Sequence, residues 1–169
     1  REGQLTDLRC GREPRLDDEA RLCGHQGKPQ LTELFTERGL LASRMTYERG
    51  QLLLLESYWD DGKLRFSEEI GSERRVARQF ARDGVLRKQT ERRNGQRVQE
   101  QEYSERGTLV AEKRWSASAG LEREEEWYLN GQPKRSITYE AGGGRTERSF
   151  HDNGKPSWDG RFVLQDRSR

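Results

Sequence analysis

Apolar residues are sparse along this chain, and where they cluster they alternate with polar ones. Between positions 41 and 47, Leu41, Met45 and Tyr47 fall on the same side of an extended segment. Leu64 and Phe66 repeat this arrangement further along the chain. Because successive residues of a strand point to opposite faces, the alternation predicts short β-strands with one face in water.

Glycines divide the chain into segments of similar length. Those that mark the divisions are Gly27, Gly39, Gly50, Gly62, Gly71, Gly84, Gly95, Gly107, Gly120, Gly131, Gly143 and Gly154. Five follow Asn or Asp, as in Asn94-Gly95, and such pairs favour type I′ hairpin turns, in which both central residues have positive φ. Their regular recurrence therefore predicts an antiparallel meander of about twelve strands.

An aromatic residue falls shortly before most of these glycines. The set comprises Phe35, Tyr47, Tyr58, Phe80, Tyr103, Trp115, Trp127, Tyr139 and Phe150. The offset between ring and glycine tends to alternate, so the repeating unit is a hairpin of about 23 residues, present about six times. We expect an all-β, single-layer antiparallel meander in which the aromatic residues form a spine along one face and provide most of the buried apolar area.

The composition suggests how such a thin sheet is held together. Charged residues make up 37% of the chain and hydrophobic residues only 30%, and 32 basic residues nearly balance 30 acidic ones. Charges alternate in sign at short range, which predicts ion-pair ladders between neighbouring strands, and arginine suits such ladders through its two-point bonds to carboxylates. The near-zero net charge disfavours a nucleic-acid partner, which normally meets a basic excess.

Both cysteines lie in the N-terminal segment. A Cys10–Cys23 disulfide would close a loop of about 14 residues and contribute roughly 3 kcal/mol, in a polar segment with little else to hold it. Two free buried thiols are the alternative. We predict an N-terminal segment over 1–26 with this disulfide, a repeat array over 27–162 and a tail over 163–169. Since the chain begins at Arg1 without a methionine, we expect that a leader has been removed.

The sequence offers no recognisable catalytic or metal-binding constellation. His25 and His151 are its two histidines, and neither belongs to a familiar zinc-ligand spacing. No Ser-His-Asp or Cys-His arrangement is recognisable either. We therefore expect a binding protein that is not an enzyme and that uses no metal and no cofactor.

Exposed tryptophan, tyrosine and arginine residues are the best candidates for contacts with a partner, because they are frequent interface hot spots. Trp59 and Tyr128 follow members of the aromatic series directly, so by alternation they should project from the opposite face. The predicted binding residues are Trp59, Tyr128, Trp158, Arg74 and Arg75. The alternative is that these aromatic residues pack under the N-terminal segment or a curled edge.

The recurring pattern, aromatic-x-x-(Asn/Asp/Arg)-Gly-(Lys/Gln)-(Leu/Pro), resembles the MORN repeat. It is most similar to the variant found in bacterial MORN-like antitoxin and immunity proteins. The resemblance covers about residues 24 to 160, and its clearest matches are Tyr58–Leu64, Trp127–Pro133 and Phe150–Pro156. It departs from the family at Ile70-Gly71, at Arg92 and between Trp115 and Gly120, where the aromatic residue or the spacing slips.

The resemblance implies an immunity protein, an antitoxin that binds a cognate secreted toxin and blocks it sterically. With the expected disulfide it points to the periplasm, and to a lipase or phospholipase effector of a type VI secretion system. Lipid anchoring through the removed N-terminus and homodimerisation through exposed sheet edges stay open. The alternatives are a membrane-associated MORN-type scaffold, and a cell-wall or carbohydrate-binding module with tryptophans as stacking platforms.

Overall fold

A computed structural model describes residues 28–118 and 120–163. These residues form twelve β-strands, and the described ranges contain no helix. The strands are β1 (Gln30–Phe35), β2 (Leu41–Glu48), β3 (Gln51–Tyr58), β4 (Leu64–Ile70), β5 (Arg74–Phe80), β6 (Leu86–Arg93), β7 (Gln96–Tyr103), β8 (Leu109–Trp115), β9 (Leu121–Trp127), β10 (Pro133–Tyr139), β11 (Arg145–Phe150) and β12 (Pro156–Phe162).

The chain divides into two compact units, residues 1–84 and 85–169. In the first unit, β1 to β5 pair in chain order, each strand antiparallel to the next. In the second unit, β6 to β12 pair in the same way. The predicted all-β antiparallel meander in a single layer is therefore confirmed. The predicted Cys10–Cys23 disulfide lies outside the described residues, as does segment 1–26.

Six of the loops between strands share one hydrogen-bonding geometry. In the loop after β9, the Gly131 N–H donates to the Tyr128 carbonyl at 2.9 Å, and the Tyr128 N–H donates to the Gln132 carbonyl at 2.9 Å. This is a type I turn followed by a left-handed glycine, the hairpin known for its G1 bulge. The same pair of bonds closes the loops that contain Gly39, Gly62, Gly107, Gly131, Gly143 and Gly154.

The type I′ turns expected at Asn-Gly and Asp-Gly pairs occur at only one of the five predicted places, Asn94-Gly95. There φ is 49° at Asn94 and 79° at Gly95, and the unpredicted pair Arg49-Gly50 has the same signs. At the other four places only the glycine has positive φ, so the predicted turn type was wrong. At three of them, the side-chain oxygen before the glycine accepts the N–H two residues on; these bonds are Lys63 to Asp61 (3.1 Å), Gln132 to Asn130 (3.0 Å) and Lys155 to Asn153 (3.0 Å).

Replacing Gly131 with alanine should lower the free energy of unfolding of the second unit by about 1–2 kcal/mol, because a Cβ disfavours a left-handed backbone. Gly131 has φ +82° and no atom within 4 Å of the Cβ position, so the cost is conformational rather than steric. Gly142→Ala is the matched control, since Gly142 has equally open surroundings without positive φ. Urea denaturation followed by circular dichroism should separate the two variants, and equal losses would contradict the expectation.

The buried apolar part of the described structure is small. Among the described residues, the buried apolar side chains are Met45, Tyr47, Val76 and Ile137. Met45 and Tyr47 form the core of the first unit, and the half-buried residues packed against them are Leu34, Leu52 and Leu55. Because cross-strand neighbours share a face, β1, β2 and β3 each contribute to this one cluster.

The expected buried spine of aromatic residues is present only in part. Tyr47 is 1% exposed, but Phe35 in the same series is 58% exposed, so the prediction was wrong for Phe35. The other members are half-buried: Tyr58, Phe80, Tyr103, Trp115, Trp127, Tyr139 and Phe150. The physical reason is that a single layer of strands covers a ring on one side and leaves the other side to long polar neighbours or to water.

Glutamates take the place of apolar residues in much of the second unit. Glu91, Glu100 and Glu112 are between 5% and 9% exposed. The Glu112 carboxylate accepts hydrogen bonds from Gln99 (2.9 Å), Gln101 (2.7 Å) and Arg114. Buried carboxylates are stable only when paired and hydrogen-bonded in this manner. The second unit therefore depends on polar networks between neighbouring strands.

The ion-pair ladders expected from the alternating charges are confirmed. In the first unit Arg44 lies between Glu33 (2.9 Å) and Glu56 (3.9 Å), so three strands share one row of charges. In the second unit Lys113 pairs with Glu124 on the adjacent strand at 3.0 Å. Most of these pairs are partly exposed, so each contributes about 0.2–1 kcal/mol, and the ladders act mainly through their number.

Candidate functional site

The five residues predicted to bind a partner are divided between the two units of the chain. Trp59, Arg74 and Arg75 belong to the first unit, and Tyr128 and Trp158 belong to the second. Tyr128 is half-buried and its hydroxyl donates to the Phe150 carbonyl at 2.9 Å. This bond ties two successive loops of the array together.

Trp59 lies at the start of the loop between β3 and β4. Its backbone N–H donates to the Lys63 carbonyl (2.8 Å), and its backbone carbonyl accepts the Gly62 N–H (3.0 Å). These bonds of the turn fix the backbone that carries the indole. The guanidinium carbons of Arg65 and Arg82 lie 4.9 and 4.8 Å from the ring centroid. An indole ring attracts cations at such distances through its negative face. The Trp59 ring therefore makes cation–π contacts with two guanidinium groups.

Arg82 is held in this position by Asp60. The two side chains form an ion pair, and the hydrogen bond from Arg82, followed by its charge, lowers the pKa of Asp60 below its usual value. The Lys63 ammonium donates to the Arg82 carbonyl at 2.9 Å, which joins the same two loops again. Because Asp60 and Arg82 are largely exposed, their pair contributes little to stability. Its effect is to orient Arg82 at the ring.

Arg65 differs from Arg82 in having no acidic partner within the part of the chain that the structure describes. Its guanidinium lies over the Trp59 ring, and the residue is exposed. The charge of Arg65 is therefore available to a ligand or partner. We call Trp59, Asp60, Arg65 and Arg82 the Trp59 cluster.

A groove of about 540 Å³ opens beside the Trp59 cluster. Its lining residues are Ser57, Trp59, Arg65, Phe66, Gln79 and Phe80. The Trp59 Nε1 is shielded from solvent and finds no hydrogen-bond acceptor among residues 28–118 and 120–163. The groove combines aromatic walls with an amide, a hydroxyl and the Arg65 guanidinium, which pairs with no acidic residue of the described ranges. These groups suit a polar or acidic side chain of a partner.

Arg75 lines a second groove, of about 550 Å³, at the other end of β3 and β4. Its lining residues are Gln51, Leu52, Leu53, Ile70, Gly71, Ser72 and Arg75. Arg75 lies opposite Ile70 in the β4–β5 pair. The neighbouring Arg74 accepts the Gly71 N–H on its carbonyl at 2.8 Å, which closes the short loop.

Trp158 is 44% exposed on β12. Its ring lies 5.6 Å from that of Phe162, tilted by 32°. The Arg145 guanidinium lies 4.8 Å from the centre of the Phe162 ring. These residues form an exposed aromatic patch in the second unit.

Neither grouped metal ligands nor a long apolar helix is found in the described ranges. No three His, Cys, Asp or Glu side chains are grouped there to hold a metal ion. None of the described segments is a helix of the length and apolarity needed to cross a membrane.

Sequence reasoning identified Trp59 but missed Asp60, Arg65 and Arg82. One signal was available: Asp60 and Arg82 each lie two positions after a series aromatic residue, so they occupy the same place in successive repeats. Residues at the same place of stacked hairpins are neighbours, and opposite charges there predict a pair. Arg65 carried no such signal, because its position over the indole depends on the path of the loop.

Comparison with known proteins identifies the repeat. Residues 123–141 match the MORN repeat variant family. This segment begins in β9, includes the loop with Gly131 and extends beyond β10. The chain therefore contains MORN-like repeat sequence. No curated protein matches the chain.

Several solved structures are similar at low levels. TarM of S. aureus is 6% identical, with a TM-score of 0.42 over 80% of this chain and 25% of TarM. The pneumococcal O-GlcNAc transferase GtfA is 12% identical, with a TM-score of 0.35 over 63% of this chain and 19% of GtfA. A Bacteroides fragilis protein of unknown function is 10% identical, with a TM-score of 0.17 over 83% of this chain and 96% of that protein. This chain spans a quarter or less of TarM and GtfA, and these likenesses carry no functional conclusion.

Proposed function

We propose that this protein is an immunity protein, an antitoxin that binds a cognate secreted toxin and blocks it by covering its active site. The observation that carries the proposal is the Trp59 cluster beside its groove. In this cluster one indole contacts an ion-paired arginine and a second arginine that has no acidic partner among the described residues. The expectation that the chain has no catalytic activity of its own belongs to the same proposal.

The composition of the Trp59 cluster supports a protein partner. Tryptophan and arginine are enriched among the residues that dominate binding energies at protein interfaces. Trp59 is set on a hydrogen-bonded turn and Arg82 is oriented by Asp60, so less conformational entropy is lost when a partner binds. Arg65 provides a charge that a partner carboxylate would neutralise with two parallel hydrogen bonds.

The surrounding surface supports a steric mechanism. The strands of the first unit carry alternating charges, including the row Glu33, Arg44 and Glu56. Complementary charge patterns at the rim of an interface set orientation and speed of association more than affinity. We propose that the toxin is a lipase or phospholipase effector of a type VI secretion system, neutralised in the periplasm. This part of the proposal follows from the resemblance to MORN-like antitoxins.

Replacing Trp59 with alanine should weaken binding to the toxin by about 30-fold or more, the effect of losing a hot-spot aromatic residue. The toxin is first recovered from source cells with the tagged full-length chain as bait, and binding is then measured by calorimetry. Protection of cells that co-express the toxin should fall in parallel. Trp158→Ala is the comparison variant, because Trp158 is an exposed tryptophan of the second unit.

A second pair of variants separates binding from folding. Arg65→Gln leaves the indole in place and should weaken binding about tenfold by removing one charged contact. Arg106→Gln is its matched control, an exposed arginine in the loop after β7. The Trp59 cluster would be excluded as the contact if Trp59→Ala and Arg65→Gln both bound like the parent. Recovery of no toxin-like protein, with no protection on co-expression, would overturn the immunity function itself.

A further inference from the structure

The strand β12 lies at the edge of the second unit. Within the described residues it pairs with β11 and with no other strand. One side of its backbone therefore presents N–H and C=O groups to which no described strand is paired, and such groups can pair with a strand of another chain.

The sequence of β12 is self-complementary about Gly160. It reads Trp158-Asp159-Gly160-Arg161-Phe162. On each side of the glycine, a charged residue is one position away and an aromatic residue is two positions away. When two copies of such a strand run antiparallel with Gly160 opposite Gly160, Asp159 faces Arg161 of the other copy. Trp158 then faces Phe162 of the other copy. Aromatic pairs and opposite charges are favourable cross-strand neighbours.

The side chains of β12 are arranged for such a pairing. Trp158 and Phe162 lie on one face and are 44% and 45% exposed. Asp159 and Arg161 lie on the other face, with 61% and 65% of their side chains exposed. The Trp158 ring lies across Gly160, where an added Cβ would come within 2.4 Å of it. Glycine at this position leaves room for the Trp158 ring of the same strand.

The existing ion pairs of the chain extend the complementarity. Arg161 pairs with Glu140 at 2.7 Å, and Asp159 pairs with Arg148 at 3.2 Å. Across the junction between two copies, the charges would alternate in sign along one row. The row consists of Glu140 and Arg161 of one copy, followed by Asp159 and Arg148 of the second copy. Each carboxylate can accept from two donors, so the new contact adds to the pairs within each chain.

We infer that β12 is a homodimerisation edge, which pairs antiparallel with β12 of a second copy about a two-fold axis through Gly160. The same surface then serves both copies, and each favourable contact occurs twice. The dimer joins the strands of two second units into one continuous antiparallel arrangement. It is independent of the Trp59 cluster, which lies in the first unit.

Charge reversal at the two positions tests this inference in the full-length chain. Asp159→Arg places two arginines opposite two arginines, and Arg161→Asp places aspartates opposite aspartates. Each single variant should raise the dimer dissociation constant about tenfold or more, as measured by sedimentation or light scattering over a concentration series. An equimolar mixture of the two variants should dimerise like the parent, because every arginine then faces an aspartate.

The mixture distinguishes a β12 junction from every other mode of association. A parent chain that stays monomeric at about 100 µM, a concentration at which a weak specific interface is occupied, would overturn the inference. So would single variants that dimerise like the parent, or a mixture that stays monomeric while both variants show the parent's circular dichroism spectrum and unfolding midpoint. Toxin binding is not needed for any of these measurements, so their outcome and that of the proposed immunity function are separate.

Discussion

Replacing Tyr47 with alanine should lower the free energy of unfolding of the first unit by about 3–5 kcal/mol, the usual loss for a large side chain removed from a packed interior. Tyr47 is 1% exposed and packs with Met45 in the apolar cluster of this unit. Its hydroxyl also lies 3.6 Å from the Met45 sulfur. With so few buried apolar residues nearby, the cavity left by Tyr47 has little else to fill it.

Phe35→Ala is the matched control, because Phe35 belongs to the same aromatic series but is 58% exposed. Its loss should cost less than about 1 kcal/mol, as expected for a substitution away from the interior. Both variants are measured by urea denaturation with tryptophan fluorescence, in which Trp59 reports on the first unit. Equal losses at the two positions would show that burial does not distinguish members of the series.

Replacing Glu112 with alanine should destabilise the second unit by about 1–3 kcal/mol, because the half-buried side-chain amides of Gln99 and Gln101 lose the carboxylate to which they donate. Glu112 is 5% exposed. Burial, the largest single effect, raises the pKa of Glu112. The hydrogen bonds from Arg114 and Gln101, the charge of Arg114 and the hydrogen bond from Gln99 together outweigh it, so the pKa lies below its ordinary value of 4.5. The folded state therefore favours the charged carboxylate.

The lowered pKa of Glu112 sets the pH at which its contribution disappears. A carboxyl group with a lowered pKa stabilises the fold above its ordinary pKa, and this stabilisation is lost as the pH falls through the lowered value. The difference in free energy of unfolding between the parent and Glu112→Ala should therefore be full at pH 7 and should shrink as the solution is acidified below the ordinary pKa of 4.5.

Glu122→Ala on neighbouring β9 is the control: Glu122 is exposed, so this substitution should have little effect at any pH. A difference for Glu112→Ala that stayed constant down to about pH 2, far below the ordinary range, would contradict this account.

These two experiments concern the two ways in which the array is stabilised. The first unit has a small apolar cluster around Tyr47, and the second relies on buried glutamates joined to glutamine, arginine and lysine. Neither kind of contact extends far from the strand that carries it, as is usual in arrays whose units contact only their neighbours. Substitutions should therefore act locally.

The spacing of glycines was sufficient to predict antiparallel strands, because a chain that turns back at short and regular intervals can pair most easily with its own neighbour. The type of turn was less predictable. Asn130-Gly131 resembles a type I′ pair, but the strand register places Asn130 outside the left-handed region, and its side chain caps the loop instead. An Asn-Gly pair is compatible with a tight turn and with a longer bulged one, so it does not by itself fix the length of the loop.

The candidate site was predictable only in its aromatic member. Trp59 stood out as an additional ring beside a regular series, and alternation alone drew attention to it. The two arginines at its ring come from different hairpins, since Arg65 lies on β4 and Arg82 lies in the loop after β5. That encounter depends on how one loop stacks upon the next, and no local pattern contains it.

The sequence by itself determined the strand class, the pairing order and the presence of alternating ion pairs, because these follow from side-chain alternation and from the regular return of glycines and rings. Only the tertiary structure decided which rings are buried, so that Tyr47 is enclosed while Phe35 is in water. It also decided that Glu112 is buried and that Arg65 has no acidic partner among the described residues. The physical reason is that burial in a single layer depends on neighbours two or more strands away, and the local alternation of residues does not specify them.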